Sequence, residues 1–251
     1  MTRYTCKMGN DMMRCTAYLV LATLTTGTAT AADIQPDWSG YWIRAADPDN
    51  PDIATVVTPG SQSTLAAKDT PSLTPEYAEK WNVIRTSIDS GSQEYIPTAQ
   101  CLPPGVPRNM FIPYSGQIEM RRDQVTIITE WAGDTRRIYL DGRSHPDAAD
   151  LDPTYQGHSI GSWDGNTLVV DTVGIVDDTR LNGRGMPHSD QLHMTEWFHE
   201  YKPGFLEIRY RLEDPIALTK PYEYKVTWQR SPIKHHEISE FICTNNKEGH
   251  Q

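Results

Sequence analysis

The sequence predicts an all-β protein: an antiparallel, lipocalin-like β-barrel, or a two-layer sandwich, preceded by an irregular N-terminal half that carries one helix. Three observations lead there. From about Gln117 onward apolar residues recur with period two, as in Val125, Ile127, Thr129 and Trp131, or Leu206, Ile208, Tyr210 and Leu212. Turn-forming pairs rather than helices separate these runs, at Ala132-Gly133, Asp164-Gly165 and Pro203-Gly204, which disfavours α/β folds. Eight or nine strands in up-and-down order must then close or fold over to hide their edges.

Along the chain, residues 1–31 read as a secretory leader. Arg3, Lys7 and Arg14 precede the apolar run Ala17 to Leu24, and Ala29-Thr30-Ala31 supplies a small-x-small cleavage signal. The run is too short to span a bilayer, so no membrane anchor is expected in the mature protein. Residues 32–115 are rich in Pro, Ser, Thr and Asp and are expected to wrap the main body. Within them Thr74-Pro75-Glu76 starts a helix near 75–88 whose stripe of Tyr77, Trp81 and Ile84 packs against that body. Residues 116–251 are expected to form the barrel domain, with strands near 117–121, 125–131, 135–140, 157–163, 167–173, 191–200, 206–212, 224–228 and 236–243.

Composition narrows the function without naming it. With 37% hydrophobic and 22% charged residues the chain is ordinary globular protein. It carries 23 basic against 33 acidic residues, a net charge of −10, and loss of the leader makes that −12. Such a balance offers no footprint for nucleic-acid phosphates. Cys6 and Cys15 leave with the leader, and Cys101 and Cys243 remain. In an oxidising compartment an even pair points to one long-range disulfide, the alternative being two separate thiols. The sequence contains no GxSxG elbow, phosphate loop, GxGxxG turn or HExxH, so no cofactor is implied.

Histidine and aspartate concentrate between 141 and 200. In the hairpin around Asp164-Gly165, a two-residue loop at those positions sets His158 opposite Asp171; a loop at Gly165-Asn166 leaves the two diagonal on the same face. A carboxylate beside an imidazole raises its basicity and fixes its tautomer, as a general base requires; the alternative is a cross-strand pair that only ties the hairpin. In the second run, Leu192, Met194 and Phe198 make an apolar strand face that includes Glu196. Glu196 therefore needs an arginine, with Arg136 and Arg137 on a candidate neighbouring strand, or acts as an acid of raised pKa. His193 and Trp197 face the other way. His188, His193 and Tyr155 are candidate acids or oxyanion partners, Arg137, Tyr139, Asp190, Glu196 and Trp197 candidate substrate contacts, and His145 a further pocket candidate. His158, His188 and His193 could together bind a metal, although their spacing matches no signature.

Asp37-Trp38-Ser39-Gly40-Tyr41-Trp42, Cys101-Leu102-Pro103-Pro104-Gly105, Arg136-Arg137-Ile138-Tyr139 with Asp141-Gly142-Arg143, GHSIGSWDGNTLVVDT and PHSDQLHMTEW together resemble a largely uncharacterised family of secreted bacterial all-β proteins. The resemblance covers nearly the whole mature chain and implies export and an all-β body; it brings no reaction with it. The reading that follows is a periplasmic or secreted, cofactor-independent enzyme. It would act on a small organic molecule in a barrel pocket by general acid–base chemistry, as a lyase, isomerase or hydrolase. Against it stand a lipocalin-like binding protein for an apolar ligand and a three-histidine metalloenzyme. The sequence leaves the oligomeric state open.

Overall fold

The computed structural model describes residues 3–7, 14–18, 35–45, 71–110, 114–182 and 185–243. The chain divides into two units, Met1–Ile34 and Gln35–Gln251. In the first, strands β1 (Arg3–Lys7) and β2 (Arg14–Tyr18) pair antiparallel, Arg3 opposite Tyr18. The expected leader's apolar run from Leu19 on, and its cleavage signal, lie outside the described residues. No helix among the described residues is long and apolar enough to cross a membrane.

The second unit is a closed barrel. Its staves are β3 (Gly40–Ala45), β4 (Gly116–Met120), β5 (Gln124–Thr129), β6 (Thr135–Tyr139), β7 (His158–Asp164), β8 (Thr167–Val173), β9 (His193–Lys202), β10 (Phe205–Glu213) and β11 (Tyr222–Arg230). Sequence order is kept from β3 to β11, and β11 closes onto β3, with Arg230 opposite Trp42. Closure removes both sheet edges, which settles the choice between barrel and sandwich. The strand alternation is visible in burial: Val125, Ile127 and Thr129 on β5, or Leu206, Ile208, Tyr210 and Leu212 on β10, point into one contiguous core with Trp38, Trp42, Phe198 and Trp228.

Three details differ from the sequence expectation. Gly40–Ala45, from the half expected to wrap, is a barrel stave, paired with β11 on one side and β4 on the other. Residues 236–243 form no strand, because β3 already occupies the place beside β11. They run irregularly, held by stacking of His236 on Tyr41, by a tilted ring contact of Phe241 with Trp131 and by the Cys101–Cys243 disulfide, whose Cα atoms are 5.6 Å apart. Third, β6 and β7 pair in parallel, Ile138 opposite Ser159. A parallel neighbour demands a long crossover, and residues 140–157 supply it.

Helix α1 (Pro75–Asp89) starts where proline predicts, and Tyr77 and Ile84 are buried with Trp81 packed on the core. Thr74 sits at the N-cap, but its side chain makes no capping bond to the helix. Its hydroxyl donates to the Ile216 carbonyl at 2.9 Å and its N–H to the Ala217 carbonyl at 2.9 Å, so the helix start is tied to the loop between β10 and β11.

Candidate active site

The turn between β7 and β8 decides which side chains meet. Asp164 pairs with Thr167, leaving Gly165 and Asn166 as the loop, with Gly165 at φ +57° as such a turn requires. The register then sets Ile160 opposite Asp171 and His158 opposite Val173, the diagonal arrangement. On the other side Asp171 lies opposite Thr195, so His193 is diagonal to it as well. All three side chains share the outer wall, since Ser159, Thr172 and Met194, their neighbours in sequence, are buried inward. The expected barrel-mouth pocket is thus replaced by a site on the outside of the barrel.

The diagonal pair His158 and Asp171 is joined not directly but through the crossover. His145, from residues 140–157, places Nε2 3.0 Å from Asp171 Oδ2 and Nδ1 2.7 Å from His158 Nδ1. His193 Nε2 reaches the other carboxylate oxygen, Oδ1, at 2.5 Å. The result is one chain, His158, His145, Asp171, His193. A carboxylate only accepts, so both His145 and His193 must present Nε2–H to it. In neutral His145 this leaves Nδ1 as an acceptor, so His158 donates from Nδ1 and keeps its lone pair at Nε2.

The electrostatics separate the two ends. The hydrogen bond from His193, helped by the His193 and His145 charges, outweighs burial and holds the Asp171 carboxyl below the usual carboxylate range. The same bond pushes His193 up. At the other end burial, then His145 and Arg143, push His158 down, which favours its neutral ring. Tyr139 packs its ring 5.6 Å from that of His158, and the Arg143 guanidinium, clamped by Asp141, covers Tyr139 at 3.8 Å.

His158 also lines a cleft of about 410 Å³, with Arg137 and Tyr139 from β6, Tyr155 and Gln156 from the end of the crossover, and Asp134 just before β6. Burial pushes the Asp134 carboxyl up to about 6, opposed by bonds from the Gly105 backbone and the Gln156 side chain. Burial and the Asp178 charge push the Tyr155 phenol up, which keeps it a proton donor. Of the candidates named from sequence, His158, Asp171 and His193 therefore form the chain, and Tyr155, Arg137 and Tyr139 share the cleft with His158.

The remaining candidates lie elsewhere. Glu196 is wholly buried and takes the arginine alternative: it pairs with Arg136 through Oε1 at 2.9 Å and through Oε2, while Ser159 and Thr172 accept from the same guanidinium at 3.1 and 3.0 Å. It is a core residue, not a substrate contact. His188 is buried at 2% exposure with both ring nitrogens engaged, by the Thr179 hydroxyl at 2.6 Å and the Ser189 carbonyl at 2.8 Å. Burial pushes its pKa down. It is therefore neither beside His158 nor open to a ligand, and the three-histidine set is not assembled; among the described residues no cluster of His, Cys, Asp or Glu has metal-holding geometry. Trp197 lines a separate cleft of about 570 Å³ over β9–β11, and Asp190 is exposed on the loop before β9.

Sequence reasoning named His145 as a pocket candidate without its place in the chain, and it missed Asp134. His145 was visible only as a loop histidine, because the pairing that brings it to His158 depends on the parallel crossover. Asp134 carried no pattern at all. The fold and site together define a closed mixed β-barrel with a histidine–aspartate chain on its outer wall. No protein-family model matches the chain, and no curated protein matches it either.

Proposed function

We propose that the protein is a cofactor-independent enzyme that acts on a small organic molecule by general acid–base chemistry, with His158 as the base, in the class of lyases, isomerases or hydrolases. The observation that carries this reading is the hydrogen-bonded chain behind His158, which leaves an imidazole lone pair at Nε2 on a residue that lines a cleft. When Nε2 takes a proton, the Nδ1 proton can pass to His145 and the positive charge moves next to the Asp171 carboxylate. Asp171 and His193 are positioning residues in this scheme. A positioned base of this kind contributes about 10²–10⁴-fold in rate.

Burial and neighbouring positive charge that push His158 down suit the role, since they favour the unprotonated form a base needs. The leader-like N-terminus and the long-range disulfide support a periplasmic or secreted location. The test is a metabolite screen of the purified full chain against His158→Ala and Asp171→Asn. We expect a product made by the wild type and lost, or slowed at least a hundredfold, in His158→Ala. The same product formed equally by all three proteins sinks the proposal.

A further inference from the structure

We propose that residues 141–150 form an acid-released latch: this arm of the crossover is fastened to the outer wall by one proton shared between His145 and His158, and a second proton on that pair frees it. The inference goes beyond the reading of His158 as a base, because the arm is held or released whether or not His158 takes a proton from a substrate.

The backbone ties the arm only at its ends. Before it, the Leu140 N–H donates to the Asp123 carbonyl at 2.8 Å; after it, Leu151 packs against Gly174 and the Thr154 N–H donates to the Gly174 carbonyl at 2.9 Å. Between these points every residue is exposed except His145, whose side chain is 18% exposed. Among the described residues, His145 is also the only one of 141–150 whose side chain hydrogen-bonds the barrel, through Asp171 on β8 and His158 on β7. The arm's other hydrogen bonds are internal. The Asp141 carboxylate accepts from the Arg143 N–H at 3.3 Å and from its Nε at 2.9 Å, and the Asp150 N–H donates to the Asp147 carbonyl at 2.8 Å. They keep the turn that carries His145 in shape without holding it down. The Arg143 guanidinium adds a stack on Tyr139 at 3.8 Å, the weak contact of an exposed cation with a ring.

Counting protons shows when His145 lets go. Asp171 Oδ2, 3.0 Å from Nε2, only accepts, so His145 keeps a proton on that nitrogen. The two Nδ1 atoms, 2.7 Å apart, leave room for one proton between them. The pair takes up further protons as a unit. The first goes to His158 Nε2, the one ring nitrogen that still holds a free lone pair, and the shared bond survives in charge-assisted form. The second has only the remaining Nδ1 lone pair to occupy. Two N–H groups then face each other across 2.7 Å, with two imidazolium rings 4.9 Å apart, and the bond that fastened the arm becomes a repulsion.

The surrounding charges set the range. From β8 the Asp171 carboxylate favours a cation at His145, while His193 of β9, with Glu213 of β10 beyond it, bears on Asp171 from the other side. Arg143 opposes further charge on His158, tempered by Asp141 and Asp123 beside it. Arg137 and Tyr139 of β6, Asp134 and Tyr155 share the cleft with His158. Burial acts in the same direction as Arg143, so the second proton enters below the ordinary histidine value of about 6.5. The Asp171 carboxyl, held below the usual carboxylate range, is still charged there. Release takes His145 from both partners at once, and acid thereby severs His158 from Asp171.

The experiment reads the arm by electron paramagnetic resonance of a nitroxide attached at Ser144→Cys in the full chain, with the wild type treated alike as background. We expect a slow label at pH 7.5 whose motion quickens about threefold or more by pH 4.5, while the near-ultraviolet circular dichroism of the barrel stays unchanged. Adding His145→Ala should give the fast spectrum at both pH values. His158→Asn, whose amide can donate to or accept from His145 Nδ1 but takes up no proton, should keep the label slow down to pH 4.5. A label equally slow at both pH values, or already fast at pH 7.5, overturns the latch. So does release that comes only with loss of the barrel's circular dichroism. A slow label at pH 7.5 in His145→Ala overturns His145 as the fastening, and acid release undiminished in His158→Asn overturns the shared proton as its trigger. No turnover enters these readings, so a metabolite screen that yields no product leaves them standing.

Discussion

Replacing Glu196 by glutamine strips the carboxylate charge from Arg136 while keeping the shape of the side chain. Arg136 is 1% exposed and Glu196 fully buried, so no water can take over the lost interaction. Ser159 and Thr172 would still accept from the guanidinium, but both are neutral. Removing one partner of such a pair leaves an uncompensated buried charge, at a cost of about 3–5 kcal/mol. For a barrel of this size that is a fall in Tm of about 10 °C, read by calorimetry or urea unfolding at pH 7. Arg136→Met with Glu196→Leu should recover most of the loss, because the two hydroxyls can then bond each other across their 2.9 Å separation. A Glu196→Gln protein as stable as wild type would refute the inward placement of Glu196. With it would go the alternation on β9 that turns His193 outward to Asp171.

Two shorter tests address the chain and the disulfide. Asp171→Asn should bring the His193 pKa down toward the ordinary histidine value, because its elevation comes first from the hydrogen bond to Asp171; ring-proton NMR titration reads this, and an unmoved His193 speaks against the pairing. Cys101→Ser with Cys243→Ser opens a bridge across a sequence separation of 142 and should cost about 5 kcal/mol in the chain-entropy view, measured by urea unfolding.

The parts of the fold that were legible in the sequence are those whose stabilisation is local or two-sided. A half-buried strand writes its burial into alternate residues, which is why β5, β9, β10 and β11 stand out. Strand β3 does not, because Tyr41, Trp42 and Ile43 are apolar on both faces and the neighbours that define it, β4 and β11, are distant in sequence. The Arg136–Glu196 pair was legible for a different reason: a carboxylate on an apolar face has few tolerable partners. The hairpin register restricted His158 and Asp171 to one face under either two-residue loop. It could not supply His145, since no local pattern encodes a parallel pairing between β6 and β7. Asp134 was hidden for the same reason, its donors coming from Gly105 and Gln156 on separate segments.

Asp134 also offers a test of the cleft through stability alone. Its carboxyl is pushed from 3.8 up to about 6, so the folded protein binds a proton there that the unfolded chain has already lost. Between those two values the folded state holds more protons, and stability must fall as pH rises from about 4 to 6. Above pH 6 the loss is complete, on the order of 2–3 kcal/mol from this one group. Asparagine in its place keeps a hydrogen-bonding side chain without the charge. Asp134→Asn should therefore be more stable than wild type at pH 7 by up to that amount and indistinguishable from it near pH 3.5, as read by urea unfolding at both values. Equal gains at both pH values would mean that the substitution acts through packing and not through the charge of the buried carboxyl.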